Sequence, residues 1–308
     1  MRAKSAAVLL LLVACVHLLA HGQEGAQPPS AAPQTVSPGP DTGSLSENQI
    51  RDLIRQAAEK DIENDKRQRD YTFVQHEDEQ RLDGKGNVKS TESKTYEIME
   101  LYGEPVWRLI EKDDKPLSQK DAAKEEDKIQ KLLDKRKNES EDERKKRVEK
   151  EEKQREDGRK FVREVAEAYN FKLVETAPLQ GRDTYVIDAD PRPGYEPRLK
   201  DAKFLPKFRF RVWLDKAENE WVKLDIQCID TVSVGLFLAR IHKGSNIQIE
   251  QTRVNDEVWL PQRIAIKLDA RIALLKGLNL SEDIAYRDYK KFRTETKIVP
   301  VGAPAEHP

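Results

Sequence analysis

The chain reads as a mainly β protein of the α+β class, a curved antiparallel sheet with covering helices and a long charged helical insertion. Three observations predict this. After Asn170, apolar residues recur at a period of two, as in Phe208, Phe210, Val212 and Leu214 with Arg209 and Arg211 between them. Short turn sequences separate these runs, which makes successive strands antiparallel. Residues 119–160 carry 30 charges in 42 positions, 16 basic and 14 acidic, with helix-start signals and few apolar residues.

The N-terminus is a targeting segment. Arg2 and Lys4 precede an apolar run over residues 6–19. Fourteen residues are short for a membrane span, which needs about 20, and suit a secretory core. Two exits are open. Ala20-His21-Gly22 before Gln23 is a small-x-small cleavage site, giving a signal peptide over residues 1–22. Leu12-Val13-Ala14-Cys15 has the form of a lipobox, in which Cys15 is lipidated and anchors the chain. An uncleaved anchor is the third reading, and all three place the chain outside the cytoplasm. Cys228 is then the one remaining cysteine, so no intramolecular disulfide forms. It alternates with Val222, Leu224 and Ile226 and reads as an inert strand residue.

Residues 23–45 are rich in Pro, Ala, Ser and Gly and read as a disordered linker. Ser46 caps a helix with Ile50, Leu53, Ile54, Ala57 and Ile62 on one face. Tyr71 to Leu82 and Val88 to Leu101 form a hairpin through Asp83-Gly84-Lys85-Gly86. A third strand starts at Val106. Ser118-x-x-Asp121 opens the charged segment, and Ser140-x-x-Glu143 marks a second start with a break near Asn138. Acid-first pairs such as Glu143 and Arg147 sit at i, i+4. Its large apolar residues are sparse (Ile129, Leu132, Leu133, Val148), so an exposed helix or helical hairpin poor in sheet contacts is expected. Such an arm either crosses between parts of the fold or meets an envelope protein partner. Phe161, Val162, Val165, Ala166 and Tyr169 restore an apolar stripe.

Thereafter come strands around Gln180-Gly181-Arg182, a proline-containing loop over residues 190–204, and five further runs ending near Phe292. Residues 296–308 are a disordered tail. The alternation places Val212, Leu214, Leu224, Ile226, Ile264 and Ile266 on one buried face. Short helices cover such a face incompletely, so a cavity lined by Phe210, Val212, Leu224, Ile226, Ile266 and Leu268 is expected. Leu236, Phe237, Leu274 and Leu275, next to Gly235 and Gly277, are its expected movable cover.

The chemistry-bearing motifs are few. With 55 basic and 56 acidic residues the net charge is −1, so no global field gathers nucleic acid. His76-Glu77-Asp78-Glu79-Gln80 begins like a zinc-protease motif but ends in glutamine, and it lies on a strand. Asp188-x-Asp190 reads as a charged strand end. No metal site, cofactor or catalytic residue is expected, and the chain reads as non-enzymatic. Arg198, Lys200, Lys203, Lys207, Arg209 and Arg211 form a basic patch beside Phe204, Phe208 and Phe210. It suits a solvated face, an acidic partner or peripheral contact with anionic lipid headgroups.

Several segments together resemble the bacterial periplasmic lipoprotein-carrier (LolA-like) superfamily. They are Gly181-Arg182-Asp183-Thr184-Tyr185-Val186-Ile187, then Val212-Trp213-Leu214-Asp215-Lys216 followed by Trp221-Val222-Lys223-Leu224. Val254-Asn255-Asp256-Glu257-Val258-Trp259-Leu260-Pro261 and Tyr286-x-x-Tyr289-x-x-Phe292 complete the set. The resemblance implies a half-barrel domain over residues 46–295, an incomplete antiparallel β-barrel around an apolar cavity, with residues 118–160 inserted. It also implies a periplasmic or cell-envelope protein that binds lipid or lipoprotein acyl chains, or senses lipoproteins, without catalytic residues.

Overall fold

The computed structural model describes residues 45–102, 104–234, 239–272 and 277–291. The expected signal peptide and Cys15, the cover residues Leu236, Phe237, Leu274 and Leu275, and the tail lie outside the described residues, as does the linker up to residue 44. Helix α1 (Glu47–Gln68) begins at Ser46, whose hydroxyl accepts from the Gln49 backbone N–H (3.3 Å). The Gln49 side chain accepts in return from the Ser46 N–H (2.8 Å), which closes a capping box. Strands β1 (Tyr71–Leu82), β2 (Val88–Leu101) and β3 (Glu104–Lys112) follow as a meander, with the two-residue strand β4 (Lys115–Pro116) at the edge.

The charged segment is two helices, α2 (Gln119–Lys137) and α3 (Glu141–Ala168), broken at Asn138 and restarted by a Ser140–Glu143 capping box. Strands β5 (Tyr169–Leu179) and β6 (Arg182–Pro191) join through Gln180 and Gly181, both at positive φ (52° and 77°), as a tight hairpin requires. Strands β7 (Phe208–Asp215), β8 (Trp221–Cys228), β9 (Val232–Val234), β10 (Ala239–Ile241), β11 (Asn246–Val254), β12 (Val258–Ile272) and β13 (Gly277–Lys291) complete the chain.

All pairings are antiparallel. The spatial order is β4-β3-β2-β1-β13-β12-β11-β8-β7-β6-β5, with the β9–β10 hairpin attached to β12. The end strands β4 and β5 do not pair with each other, so the sheet is open. First and last strands meet in its middle, from Tyr71 opposite Lys291 to Leu82 opposite Asn279. The chain leaves at one edge and re-enters at the other through α2 and α3. The 28 residues of α3 reach about 42 Å at 1.5 Å per residue. That is comparable to the ten inter-strand steps of about 4.8 Å that separate β4 from β5. The crossing role of the insertion is therefore a matter of length.

Register shows which residues share a face. One row runs Val212, Leu224, Ile249, Ile264, Ile284, and the next runs Phe210, Ile226, Ile247, Ile266. This inner face is covered toward β5 by α1, whose Ile50 and Ala57 pack with Tyr169, Phe171, Ile187, Val212 and Leu214. The outer face carries ion pairs such as Lys223–Glu250 (2.7 Å) and Arg211–Asp188 (2.6 Å).

The expectation of an arm poor in sheet contacts is corrected. Ile129, Leu132 and Leu133 of α2 all pack on Met99, Leu101 and Val106. Those three point away from the face of Ile98 and Trp107, because Met99 pairs with Val106 while Ile98 pairs with Trp107. Arginines supply the rest. Arg136 grips Glu104 at 2.6 Å, and Arg147 reaches Glu139 (2.9 Å) and the Tyr102 carbonyl (3.2 Å). Four sparse apolar residues understate the anchoring because long arginine side chains bury their stems while their heads remain paired.

Candidate functional site

The C-terminal half of α1 lies over the inner face where the β12–β13 ladder stops. That ladder begins at Arg263 opposite Ala285, so the backbone of β12 before it lacks a strand neighbour on that side. Asn64 fills the role. Its Nδ2 donates to the Trp259 carbonyl (2.9 Å), and its Oδ1 accepts from the Trp259 N–H (3.0 Å). Asp61, one turn earlier, accepts from Trp221 Nε1 (2.7 Å). These bonds hold α1 at a fixed height above the strands beyond, and a cleft of about 130 Å³ opens between them.

One wall of the cleft is α1 and the residue that ends it, with Asp61, Asn64, Asp65 and Arg69. The floor is the inner face of β3, β2, β1, β13, β12 and β11, including Trp107, Ile98, Phe73, Tyr286, Ile264 and Ile249. Phe73 lies 5.9 Å from Tyr286 between ring centroids, so the aromatic surface is continuous. Gln251 joins the lining where the β11–β12 register shifts between Glu250 and Gln251, a bulge that re-aims side chains.

The cleft is electrostatically unbalanced. Burial pushes Asp61 up to about 6, against the hydrogen bond from Trp221 that favours its ionised form. Burial likewise lifts Asp65 and Glu100 to about 7 each, and only partly do Arg69 and Arg155 oppose this. Burial lowers the Arg69 guanidinium from its ordinary value. Asp65 Oδ1, Gln251 Oε1 and Arg69 Nε and Nη2 are buried without a hydrogen-bond partner. Farther along the inner face Glu282 is buried and lifted to about 7, again chiefly by burial.

The residues expected to line a cavity are on this same inner face but divide between two clusters. Phe210 and Val212 pack beneath α1, with the Phe210 ring 4.6 Å from Tyr169. Leu224, Ile226, Ile266 and Leu268 pack with Ile247, Ile249, Ile264 and Ile284. That second cluster adjoins the cleft through Ile249 and Ile264, which belong to both. The aromatic residues of β1–β3 and the acidic side of α1 were not nominated. The alternation of Tyr71 and Phe73 with Thr72, and of Ile98 with Glu97, could have marked the hairpin as a floor.

The remaining motifs have other partners. His76 is on the outer face, with Nε2 3.3 Å from Asp78 and 3.7 Å from Asp114, and Nδ1 2.9 Å from the Thr95 hydroxyl. These three side chains bring possible ligand atoms within 4.8 Å of one another, away from the cleft. Asp188 and Asp190 pair with Arg211 and Arg209 at 2.6 Å each, and Lys207 pairs with Asp230. Half of the basic patch is thus matched by carboxylates. Cys228 is buried, and burial raises its thiol above the usual range.

No helix among the described residues is long and apolar enough to cross a membrane. No protein-family model matches the chain, and no curated protein matches it in sequence. Several solved structures are similar to it, among them the following three. A DUF1329 family protein from Desulfovibrio piger shares 12% identity over 80% of this chain and 92% of that one, with a TM-score of 0.33. A domain assigned to outer membrane lipoprotein sorting, from Vibrio parahaemolyticus, shares 14% over 80% and 95%, with a TM-score of 0.32. A LolA superfamily protein from Nitrosomonas europaea shares 10% over 81% and 95%, with a TM-score of 0.30. The chain is similar to LolA-superfamily, DUF1329 and lipoprotein-sorting structures, at TM-scores that lend no weight to what those proteins bind.

Proposed function

We propose that this chain is an exported, non-catalytic cell-envelope protein that binds lipid or the acyl part of a lipoprotein beneath α1. The observation that carries the reading is the cleft itself, with an aromatic and aliphatic floor on an open sheet and a roof made by one helix. Its size decides what enters. About 130 Å³ is close to the roughly 150 Å³ of an engineered apolar cavity that accepts benzene. Only the end of an acyl chain fits while α1 stays clamped, so loading of a longer chain requires α1 to lift. Each methylene removed from water then contributes about 0.8 kcal/mol, which drives binding without polar recognition of the tail. Periplasmic or envelope placement, and anchoring through Cys15, belong to the same proposal and rest on residues 1–22.

The test is organic extraction of protein purified from cell envelopes, followed by mass spectrometry, together with titration of a fluorescent fatty acid. Ile264→Glu, which charges the floor, is expected to abolish uptake, whereas His76→Ala on the outer face leaves it unchanged. An empty extract with no uptake would leave a different reading, an interaction or sensor domain that presents the α2–α3 arm to an envelope partner.

A further inference from the structure

The cleft has two kinds of wall, and the second says what head group the occupant carries. Three carboxylates line it, Asp61, Asp65 and Glu100, against one guanidinium, Arg69. Arg69 Nη2 stands 3.5 Å from Asp65 Oδ2, so this cation is already matched by one of the three. Arg155 of α3 lies behind them, and its charge is met by Glu151 and Glu152 at 3.6 Å each. Two acceptors have no donor, Asp65 Oδ1 and Gln251 Oε1. Gln251 is 6% exposed and sits in the lining, so bulk water does not serve it freely.

A buried acceptor without a partner costs about 1–3 kcal/mol, and an occupant that donates to it recovers that loss. Beside these acceptors stand the rings of Phe73, Trp107 and Tyr286, whose faces attract a cation. From this geometry we infer that the occupant is an amphiphile with a positively charged ammonium head, its tail on the aromatic floor and its head against Asp65, Glu100 and Gln251. An anionic head would lose its water beside three carboxylates and find one cation already engaged. Arg69 Nε remains an open donor, which suits a carbonyl or hydroxyl next to the ammonium.

This inference rests on the apolar-ligand reading above, and the experiment separates the two. Octylammonium, octanol and octanoate share one tail and differ in the head. Each is titrated into the full chain at pH 7.5, below its micelle concentration, by isothermal calorimetry. Octylammonium is expected to bind roughly tenfold more tightly than octanoate, within the range of a desolvated cation–π contact. Asp65→Asn and Glu100→Gln are each expected to move the ratio of octylammonium to octanol affinity toward one, and His76→Ala leaves that ratio as it is. Octanoate binding as well as octylammonium, or a ratio unmoved in both variants, overturns the inference while apolar binding stands. Failure of all three ligands overturns both.

Discussion

Replacing Asn64 by alanine tests whether α1 is a clamped roof. The side chain bonds both the N–H and the carbonyl of Trp259, a residue 3% exposed, at 3.0 and 2.9 Å. Alanine leaves the Trp259 N–H and carbonyl buried without partners. At about 1–3 kcal/mol for each group, the loss falls near about 2–6 kcal/mol, at the lower end if α1 shifts and admits water. Urea unfolding followed by circular dichroism measures it, and amide exchange reports whether the loss is global or confined to α1. Fluorescent fatty acid should also enter the variant faster, because loading requires the roof to rise. A change below about 0.5 kcal/mol with unaltered exchange along Glu47–Gln68 would refute the clamp.

Other outcomes follow from the same geometry. Burial lifts Glu220 to about 8, and Asp65 and Glu282 to about 7, so the folded state holds protons that the unfolded chain, with ordinary carboxylates near 4, has released. Stability is therefore expected to fall as pH rises from about 5 to about 8; Glu220→Gln should flatten the decline in urea midpoint, and a level wild-type profile would contradict this. Ile129→Ala removes the buried contact of α2 with Leu101 and Val106, at a local cost of about 2–3 kcal/mol. It should speed amide exchange across Gln119–Lys137, and unchanged exchange would show that the ion pairs alone hold the arm. Palmitate labelling that disappears in Cys15→Ser identifies a lipid anchor, whereas an unlabelled chain beginning near Gln23 identifies simple cleavage; full-length cytosolic protein would refute export.

The sheet was legible because its signal is local. Val212 and Leu214 alternate with outward residues whatever strand lies beside them, and Gln180-Gly181 announces its hairpin by composition. The restart of the charged helix at Ser140 was equally plain. The adjacency of β1 and β13 was not, since nothing within either strand encodes a partner some 200 residues away. The cleft was hidden for a related reason. Asp61 and Asn64 read as the wet side of an amphipathic helix, and they are buried only because β8 and β12 supply Trp221 and Trp259 from far along the chain. Arg155 likewise reads as surface within a run of charges, yet it is 4% exposed. Burial of polar residues depends on long-range partners, and hydrophobic periodicity carries no record of them.

Contact quenching of tryptophan tests the cleft most directly. Trp107 is part of the floor, whereas Trp213 faces the opposite side of the sheet, with Lys223 Nζ 5.5 Å from the centre of its ring. An eight-carbon alcohol with a terminal bromine quenches only the indoles its tail can touch. Saturable quenching of the wild-type chain is expected, reduced in Trp107→Phe with the remainder coming from Trp221 and Trp259, which also line the cleft, and fully retained in Trp213→Phe. Quenching that is absent in the wild type, or equal in the two variants, would contradict binding beneath α1.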